Sequence, residues 1–188
     1  MVKLNKIYTR TGDDGTTMLA DGSRRAKHDH RIACYGAVDE ANAALGMARL
    51  HTAEMGEIDA LLARLQNDFF DLGADLATPE TDKFEPLRIT DAQVERLENE
   101  IDGLNEALAP LDSFVLPGGT PAAAHIHLAR TLIRKAERML SAAIADGDVF
   151  SDPARRYINR ASDLLFVAAR AANESGAKDV KWVPGANR

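Results

Sequence analysis

The segment from Thr9 to Thr17 has the composition of a phosphate-binding loop. Its two glycines, Gly12 and Gly15, permit positive φ values and let the backbone approach a ligand closely. Backbone amides and threonine hydroxyls supply hydrogen-bond donors, and clustered donors of this kind form concave sites for anions. Lys27, further along the chain, supplies a counter-charge. The alternative is a polar surface turn, because Gly-Asp-x-Gly sequences are common in turns.

A second group of charged residues follows a helical spacing. Arg130, Arg134 and Glu137 are separated by four and then three residues, which places them on one side of a helix. This stripe lies beside the apolar line of the same helix, so its charges need partners. The alternative is a solvated pair between Arg134 and Glu137, worth about 0.3 kcal/mol.

Two other predicted helices carry polar stripes. Asn159 and Asp163 share one side of the last helix, where an amide is suited to bind a base or ribose edge. Arg31, Tyr35 and Asp39 occupy one quadrant of the first helix, and this acid is suited to pair with an arginine of another helix or subunit. Each stripe alone is an ordinary polar face. Together with the glycine loop, they favour a nucleotide site.

Standard metal and nucleotide motifs are absent from the sequence. It contains no Glu-x-x-His pair, no Walker A motif and no Gly-x-Gly-x-x-Gly after a strand. His125 and His127 are two residues apart, about 200° around a helix, so we expect one exposed and one partly buried histidine. Cys34 is the only cysteine, which excludes an internal disulfide and favours a small buried residue. No metal site built from protein ligands alone is expected.

Composition limits the class of protein. The 188 residues suffice for one buried domain, and the net charge of −6 argues against general binding of nucleic acid. No apolar run is long enough to span a membrane, and the N-terminus lacks the hydrophobic segment of a secretory signal. We therefore expect a cytoplasmic protein whose partner is a small anion.

The spacing of apolar residues predicts an all-α fold of five helices. The chain is rich in alanine and leucine, and only 5% of its residues are aromatic. The first helix is predicted over about 27–50. The second carries its large apolar residues at spacings of three and four, which is typical of a bundle seam. These residues are Ile58, Leu61, Leu65, Phe69, Leu72 and Leu76.

Capping residues predict where the last three helices begin. Thr90 and Gln93 have the spacing of a capping box at the start of the third. Thr120 is the predicted N-cap of the fourth and Asp152 that of the fifth, each followed by a proline. Gly176 is the expected end of the fifth helix.

Five stretches of the chain, in this order, resemble the PduO-type ATP:cob(I)alamin adenosyltransferases. They are IYTRTGDDGTT (7–17), YGAVDEAN (35–42), FVLPGG (114–119), ARTLIRKAER (129–138) and YINRASDLLF (157–166). The resemblance covers nearly the whole chain. It implies a single domain over 1–188, with an ATP-binding segment 1–26, a five-helix bundle 27–176 and a tail 177–188. It also implies a homotrimer that binds ATP and the corrin between neighbouring subunits.

The resemblance also assigns residues to the site. Phe114 is implied to close the lower face of the corrin, and Arg130 to pair across the subunit interface with Asp39. Lys135 stands where the family usually has arginine, so it keeps the charge but loses the planar fork. The residues expected at ATP and its Mg²⁺ are Thr9, Arg10, Thr11, Gly12, Thr17, Lys27, Arg134, Lys135, Glu137, Arg138, Asn159 and Asp163.

The implied reaction is attack by the Co(I) centre of reduced cobalamin on the ribose C5′ of ATP. It yields adenosylcobalamin and triphosphate, and Arg134 is implied to act on the departing triphosphate. Two alternatives remain at this point. One is a carrier that binds ATP or adenosylcobalamin and delivers cofactor to a partner enzyme without catalysis. The other is a purely structural bundle, which leaves the glycine loop and the arginine stripe unexplained.

Overall fold

The computed structural model describes residues 7–188, so residues 1–6 of the expected N-terminal segment lie outside the described residues. The all-α prediction is confirmed. The five helices are α1 (His30–Arg49), α2 (Gly56–Leu76), α3 (Asp91–Glu106), α4 (Pro121–Ala145) and α5 (Asp152–Ala172). None of the helices in the described range is both long enough and apolar enough to cross a membrane.

Two short two-stranded antiparallel sheets occur where the sequence predicts only a loop and a tail. The first joins β1 (Thr16–Met18) to β2 (Arg24–Ala26) within the N-terminal segment. The second joins β3 (Val115–Leu116) to β4 (Val180–Lys181), so the C-terminal segment returns to the start of α4. These strands of two or three residues are too short to give an alternating hydrophobic signal in the sequence.

The core forms where α4 packs between α1 and α5, with α2 against α1 and α3 against α5. The predicted seam of α2 is buried from Leu61 to Leu76, and Ile58 at its start is half-buried. Alanines such as Ala129 and Ala161 are fully buried on α4 and α5, which lets the helix backbones approach closely. Burial of each large apolar side chain contributes about 1.5–3 kcal/mol.

The predicted helix boundaries are largely confirmed. The capping box of Thr90 is present, and the Thr120 hydroxyl accepts a hydrogen bond from the Ala123 amide. The fifth helix differs at both ends: Ser151 is its N-cap and Asp152 is already helical, and it ends at Ala172, with Asn173 as its C-cap, and not at Gly176. Gly176 has a positive φ but lies in the turn that follows the helix. Serine and aspartate both cap well, so the sequence does not separate them. Helix α1 begins at His30 and not at 27, because Asp29 caps it.

Arg31 ties the ends of three helices together and is therefore structural. Its side chain is buried, lies 3.1 Å from the Asp148 carboxylate and donates to the Leu76 and Val149 carbonyls, each at 2.8 Å. Its guanidinium also stacks over the Phe150 ring at 4.0 Å. Arg31, the first residue of the polar stripe on α1, therefore stabilises the fold and does not bind a ligand.

Candidate active site

Lys27 lies against the N-terminal glycine loop, as the sequence predicts. Its Nζ is 3.3 Å from the position that a Cβ would occupy on Gly12, so a side chain there would crowd the ammonium group. The loop is closed by Asp14, whose carboxylate accepts hydrogen bonds from the amide and hydroxyl of Thr16. Gly15 has φ +84°, a left-handed conformation that favours glycine. The ammonium group of Lys27 therefore lies beside the backbone turn at Gly12.

The rest of this segment presents polar groups to solvent. The hydroxyls of Thr9 and Thr11 are 2.9 Å apart, and both residues are exposed. Arg10 adopts φ 64°, and its guanidinium lies 5.5 Å from the centre of the Tyr8 ring. Thr17 is half-buried and hydrogen-bonds to the Tyr35 hydroxyl. The threonine hydroxyls, together with the cations of Arg10 and Lys27, can bind an anion such as triphosphate.

Arg134 and Glu137 do not form the solvated intrahelical pair that the sequence left as the alternative. Glu137 Oε1 accepts a hydrogen bond of 2.8 Å from Asn159 Nδ2 on α5. Asn159 Oδ1 accepts one of 2.6 Å from Arg160 Nη1. The guanidinium of Arg134 is exposed and makes no hydrogen bond or ion pair within residues 7–188. It is therefore available to an anionic ligand.

Three other expected nucleotide residues surround this stripe. Lys135 Nζ forms an ion pair of 2.7 Å with Glu40 on α1, so its charge is already engaged. Arg138 is exposed and donates to the Arg134 carbonyl at 3.0 Å. Partial burial raises the pKa of the Asp163 carboxyl, although Arg160 at 3.8 Å opposes this shift.

Phe114 stands at the edge of a second site, an open cleft of about 780 Å³. Phe114 is 77% exposed, and with Trp182 it gives this cleft an apolar face. The Trp182 ring lies 6.0 Å away, and the Trp182 amide donates to the Phe114 carbonyl at 2.8 Å. Arg130 and Phe166 complete the wall. The cleft is therefore lined by aromatic rings and by the guanidinium of Arg130.

Arg130 is held by a histidine that the sequence placed differently. Its Nε donates to His127 Nδ1 at 3.3 Å. His127 is fully buried, and this burial, assisted by the Arg130 charge, lowers its pKa to about 4. His125 is half-buried, with Nδ1 2.8 Å from the Pro121 carbonyl oxygen. The expectation of one exposed and one partly buried histidine was therefore wrong, because His125 is half-buried and His127 is fully buried.

The expected residues form three separate surfaces within one chain. In the described range, no hydrogen bond or ion pair joins Asp39 to Arg130. None joins the loop of Thr9 to Gly12 with Arg134 or its neighbours either. Asp39 is exposed on α1, where it borders a small cleft with Tyr35 and Phe70.

Residues that the sequence reasoning missed come from elements it did not predict. Trp182 reaches the Phe114 cleft only because β4 pairs with β3. It is the only tryptophan of the chain, and that alone could have marked it as a candidate. Cys34 is buried as expected, and burial raises the pKa of its thiol to about 12. In the part of the chain that the structure describes, no three His, Cys, Asp or Glu residues are grouped to hold a metal.

Known protein sequences resemble this chain over its whole length. A family model described as cobalamin adenosyltransferase matches residues 7–172. The corrinoid adenosyltransferase of Mycobacterium tuberculosis is 50% identical over 190 residues, covering 100% of this chain and 97% of that protein. The corrinoid adenosyltransferase of Bacillus subtilis is 38% identical, covering 94% of this chain and 92% of that protein.

Solved structures of a PduO-type ATP:corrinoid adenosyltransferase from Lactobacillus reuteri share the fold. A phenylalanine-to-histidine variant complexed with cobalamin and ATP gives a TM-score of 0.87 at 33% identity, covering 95% of this chain and 97% of that chain. An arginine-to-lysine variant complexed with ATP gives 0.81 at 34% identity, covering 94% and 100%. The likeness thus includes both the bundle and most of the N-terminal segment.

Proposed function

The chain belongs to the cobalamin adenosyltransferase family, and from this premise we propose how its residues divide the work of the reaction. It is an ATP:corrinoid adenosyltransferase. The transfer joins the 5′-deoxyadenosyl group of ATP to cobalt and releases triphosphate. Because the corrinoid supplies the nucleophile, the protein contributes positioning and electrostatic stabilisation.

The observation that carries the nucleotide assignment is the free guanidinium of Arg134 beside the Glu137–Asn159 hydrogen bond. We propose that Arg134 binds the triphosphate and stabilises its charge as it departs. Asn159 holds the carboxylate of Glu137 away from this arginine, so the cation is not neutralised from within. Lys27 and the loop of Thr9 to Gly12 would supply the remaining donors.

We propose that the chain forms a homotrimer, and the separation of these surfaces supports an assembly of several subunits. Within residues 7–188 of one chain, no hydrogen bond or ion pair joins the N-terminal loop to the α4–α5 stripe, although both present donors suited to an anion. We propose that the loop of one subunit meets the stripe of its neighbour across ATP. In the same interface, exposed Asp39 would pair with Arg130. Sedimentation should then give a mass of three times 20.4 kDa.

The donor set fits Mg²⁺ carried by the triphosphate. Magnesium prefers oxygen ligands, keeps several waters and is commonly bound through substrate phosphates plus one or two carboxylates. Glu137 Oε1 is engaged by Asn159, while its Oε2 has no hydrogen-bond partner within residues 7–188. We propose that Glu137 Oε2 and the hydroxyls of Thr9 and Thr11 would hold the hydrated ion. Magnesium would neutralise phosphate charge during transfer.

The Phe114 cleft is proposed to hold the corrin. Its volume and aromatic walls suit a large flat ligand. Such a ligand would bury the exposed ring of Phe114. A phenyl ring cannot ligate cobalt, so Phe114 would exclude the lower axial ligand and leave the metal easier to reduce.

The proposal includes a cytoplasmic location and an adenosylcobalamin-dependent enzyme as recipient of the product.

The test is an anaerobic absorbance assay with reduced cobalamin, Mg²⁺ and ATP. We expect loss of the Co(I) spectrum and formation of a light-sensitive alkylcobalamin with release of triphosphate. Arg64→Ala is the matched control, because Arg64 pairs with Glu100 between α2 and α3 and lines neither the Phe114 cleft nor the cleft beside Asp39. Binding of both substrates without product would instead favour a carrier.

A further inference from the structure

His127 is a polar residue at a position where an apolar one would fit. It lies on the buried side of α4 and is fully inaccessible to solvent. Its Nε2 is buried and has no hydrogen-bond partner within residues 7–188. An unpaired buried polar atom lowers stability, and an apolar side chain of similar shape avoids that cost. The histidine is therefore poorly explained by packing alone.

Within residues 7–188, the imidazole makes one hydrogen bond, and its partner is the arginine of the Phe114 cleft. Arg130 Nε donates to His127 Nδ1 at 3.3 Å, which requires that the ring proton sit on Nε2. The charged groups that act on the ring are Arg130, on its own helix, and Asp179, from the C-terminal segment. Asp179 is itself bound by Arg170 at 2.8 Å, so its charge is largely compensated.

The arginine has no other fixed partner. Arg130 is half-buried at the wall of the Phe114 cleft, and neither of its terminal nitrogens makes a hydrogen bond within residues 7–188. Long arginine side chains have many rotamers, and a bond to Nε removes much of that freedom. Contact through Nε also leaves both terminal nitrogens for an end-on, bidentate interaction with a carboxylate.

We propose that His127 is a positioning residue for adenosyl transfer, whose unprotonated Nδ1 fixes Arg130 in the cleft wall with both terminal nitrogens free for Asp39 of a neighbouring subunit. This inference rests on the proposed role of Arg130. Burial keeps the imidazole neutral at physiological pH, so the acceptor is present whenever the enzyme works. A permanently neutral acceptor suits this task because a protonated ring would repel the guanidinium.

The test compares two substitutions of similar size at the same position. His127→Leu removes the acceptor, whereas His127→Asn places Oδ1 close to where Nδ1 stands. We expect His127→Leu to lower kcat/KM for cobalamin about tenfold, with Tm unchanged or higher, because the unpaired Nε2 is also removed. His127→Asn should recover at least half of the lost activity.

A second background separates positioning from a general structural effect. Arg130→Lys keeps the charge but has no Nε donor, so His127→Leu should cause less than a twofold further loss in that variant. Wild-type kcat/KM in His127→Leu, failure of asparagine to restore activity, or additive losses in the double variant would each overturn the inference. Full activity of Arg130→Lys and Arg130→Ala would instead overturn the proposed role of Arg130 itself.

Discussion

Asn159 on α5 donates a 2.8 Å hydrogen bond to the carboxylate of Glu137 on α4, and this bond separates Glu137 from Arg134. A helix that carries arginine and glutamate three residues apart would otherwise tend to pair them. The amide engages the carboxylate from the neighbouring helix, and the guanidinium stays free. The positive charge of Arg134 is therefore not neutralised by Glu137.

Replacement of this arginine should affect ligand binding and leave folding unchanged. We expect Arg134→Ala to weaken ATP binding by about 2 kcal/mol, roughly 30-fold, because a charge-assisted contact is lost. Isothermal titration calorimetry measures the change, with Arg64→Ala as the surface control. The Tm should stay the same, since the exposed side chain of Arg134 makes no hydrogen bond or ion pair within residues 7–188. Unchanged ATP affinity would contradict the assignment.

Loss of the exposed aromatic ring should affect turnover more than nucleotide binding. We expect Phe114→Ala to lower kcat at least tenfold, while the Kd for ATP changes less than twofold. Leu116→Ala is the matched control, because Leu116 is an exposed apolar residue of the same segment that does not line the cleft. An equal loss in kcat and in ATP affinity would argue against a role at the corrin.

Two adjacent glycines should differ sharply in their tolerance of a methyl group. Gly119 has φ +101°, and a Cβ there would overlap the side chain of Asn173, which also accepts a hydrogen bond from the Thr120 amide. We expect Gly119→Ala to lower the free energy of unfolding by about 2 kcal/mol or more. Gly118→Ala should cost far less, because its Cβ would lie 3.7 Å from Val180. Urea denaturation compares the two, and equal losses would refute the packing argument.

His127 predicts how stability depends on pH. Its pKa falls from 6.5 in the unfolded chain to about 4 in the fold, so the unfolded state binds the proton more readily. The free energy of unfolding should therefore drop as the pH falls from 6.5 towards 4, by up to about 3 kcal/mol. His127→Leu removes this contribution. Denaturation at pH 7 and pH 4.5 should show a smaller acid loss in the variant, and identical losses would mean that the histidine is not buried neutral.

The sequence identified the helices because their signals are local, whereas the assignment of individual residues to the nucleotide remains a prediction. The seam of α2 and the cap of Thr90 depend on neighbours within two turns, and both are confirmed. The placement of Lys27 beside Gly12 was also foreseen, since the two lie close in the chain. The pairing of Asn159 with Glu137 could not be predicted, because a helix face shows which side chains are available but not which neighbour they meet. The aromatic partner Trp182 was missed for a similar reason, since its position depends on strands of two residues.

The pairing of β3 with β4 also determines when the Phe114 cleft can form during synthesis. Phe114 leaves the ribosome well before its partner strand, yet one wall of the cleft is absent until Trp182 has been added and Val180 has paired with Leu116. The bundle seam can fold earlier, because its contacts lie within α1 to α5. A nascent chain that stalls after α5 would therefore have the bundle but lack the Trp182 side of the cleft. If the cleft binds the corrin as proposed, an unfinished polypeptide would not retain that ligand.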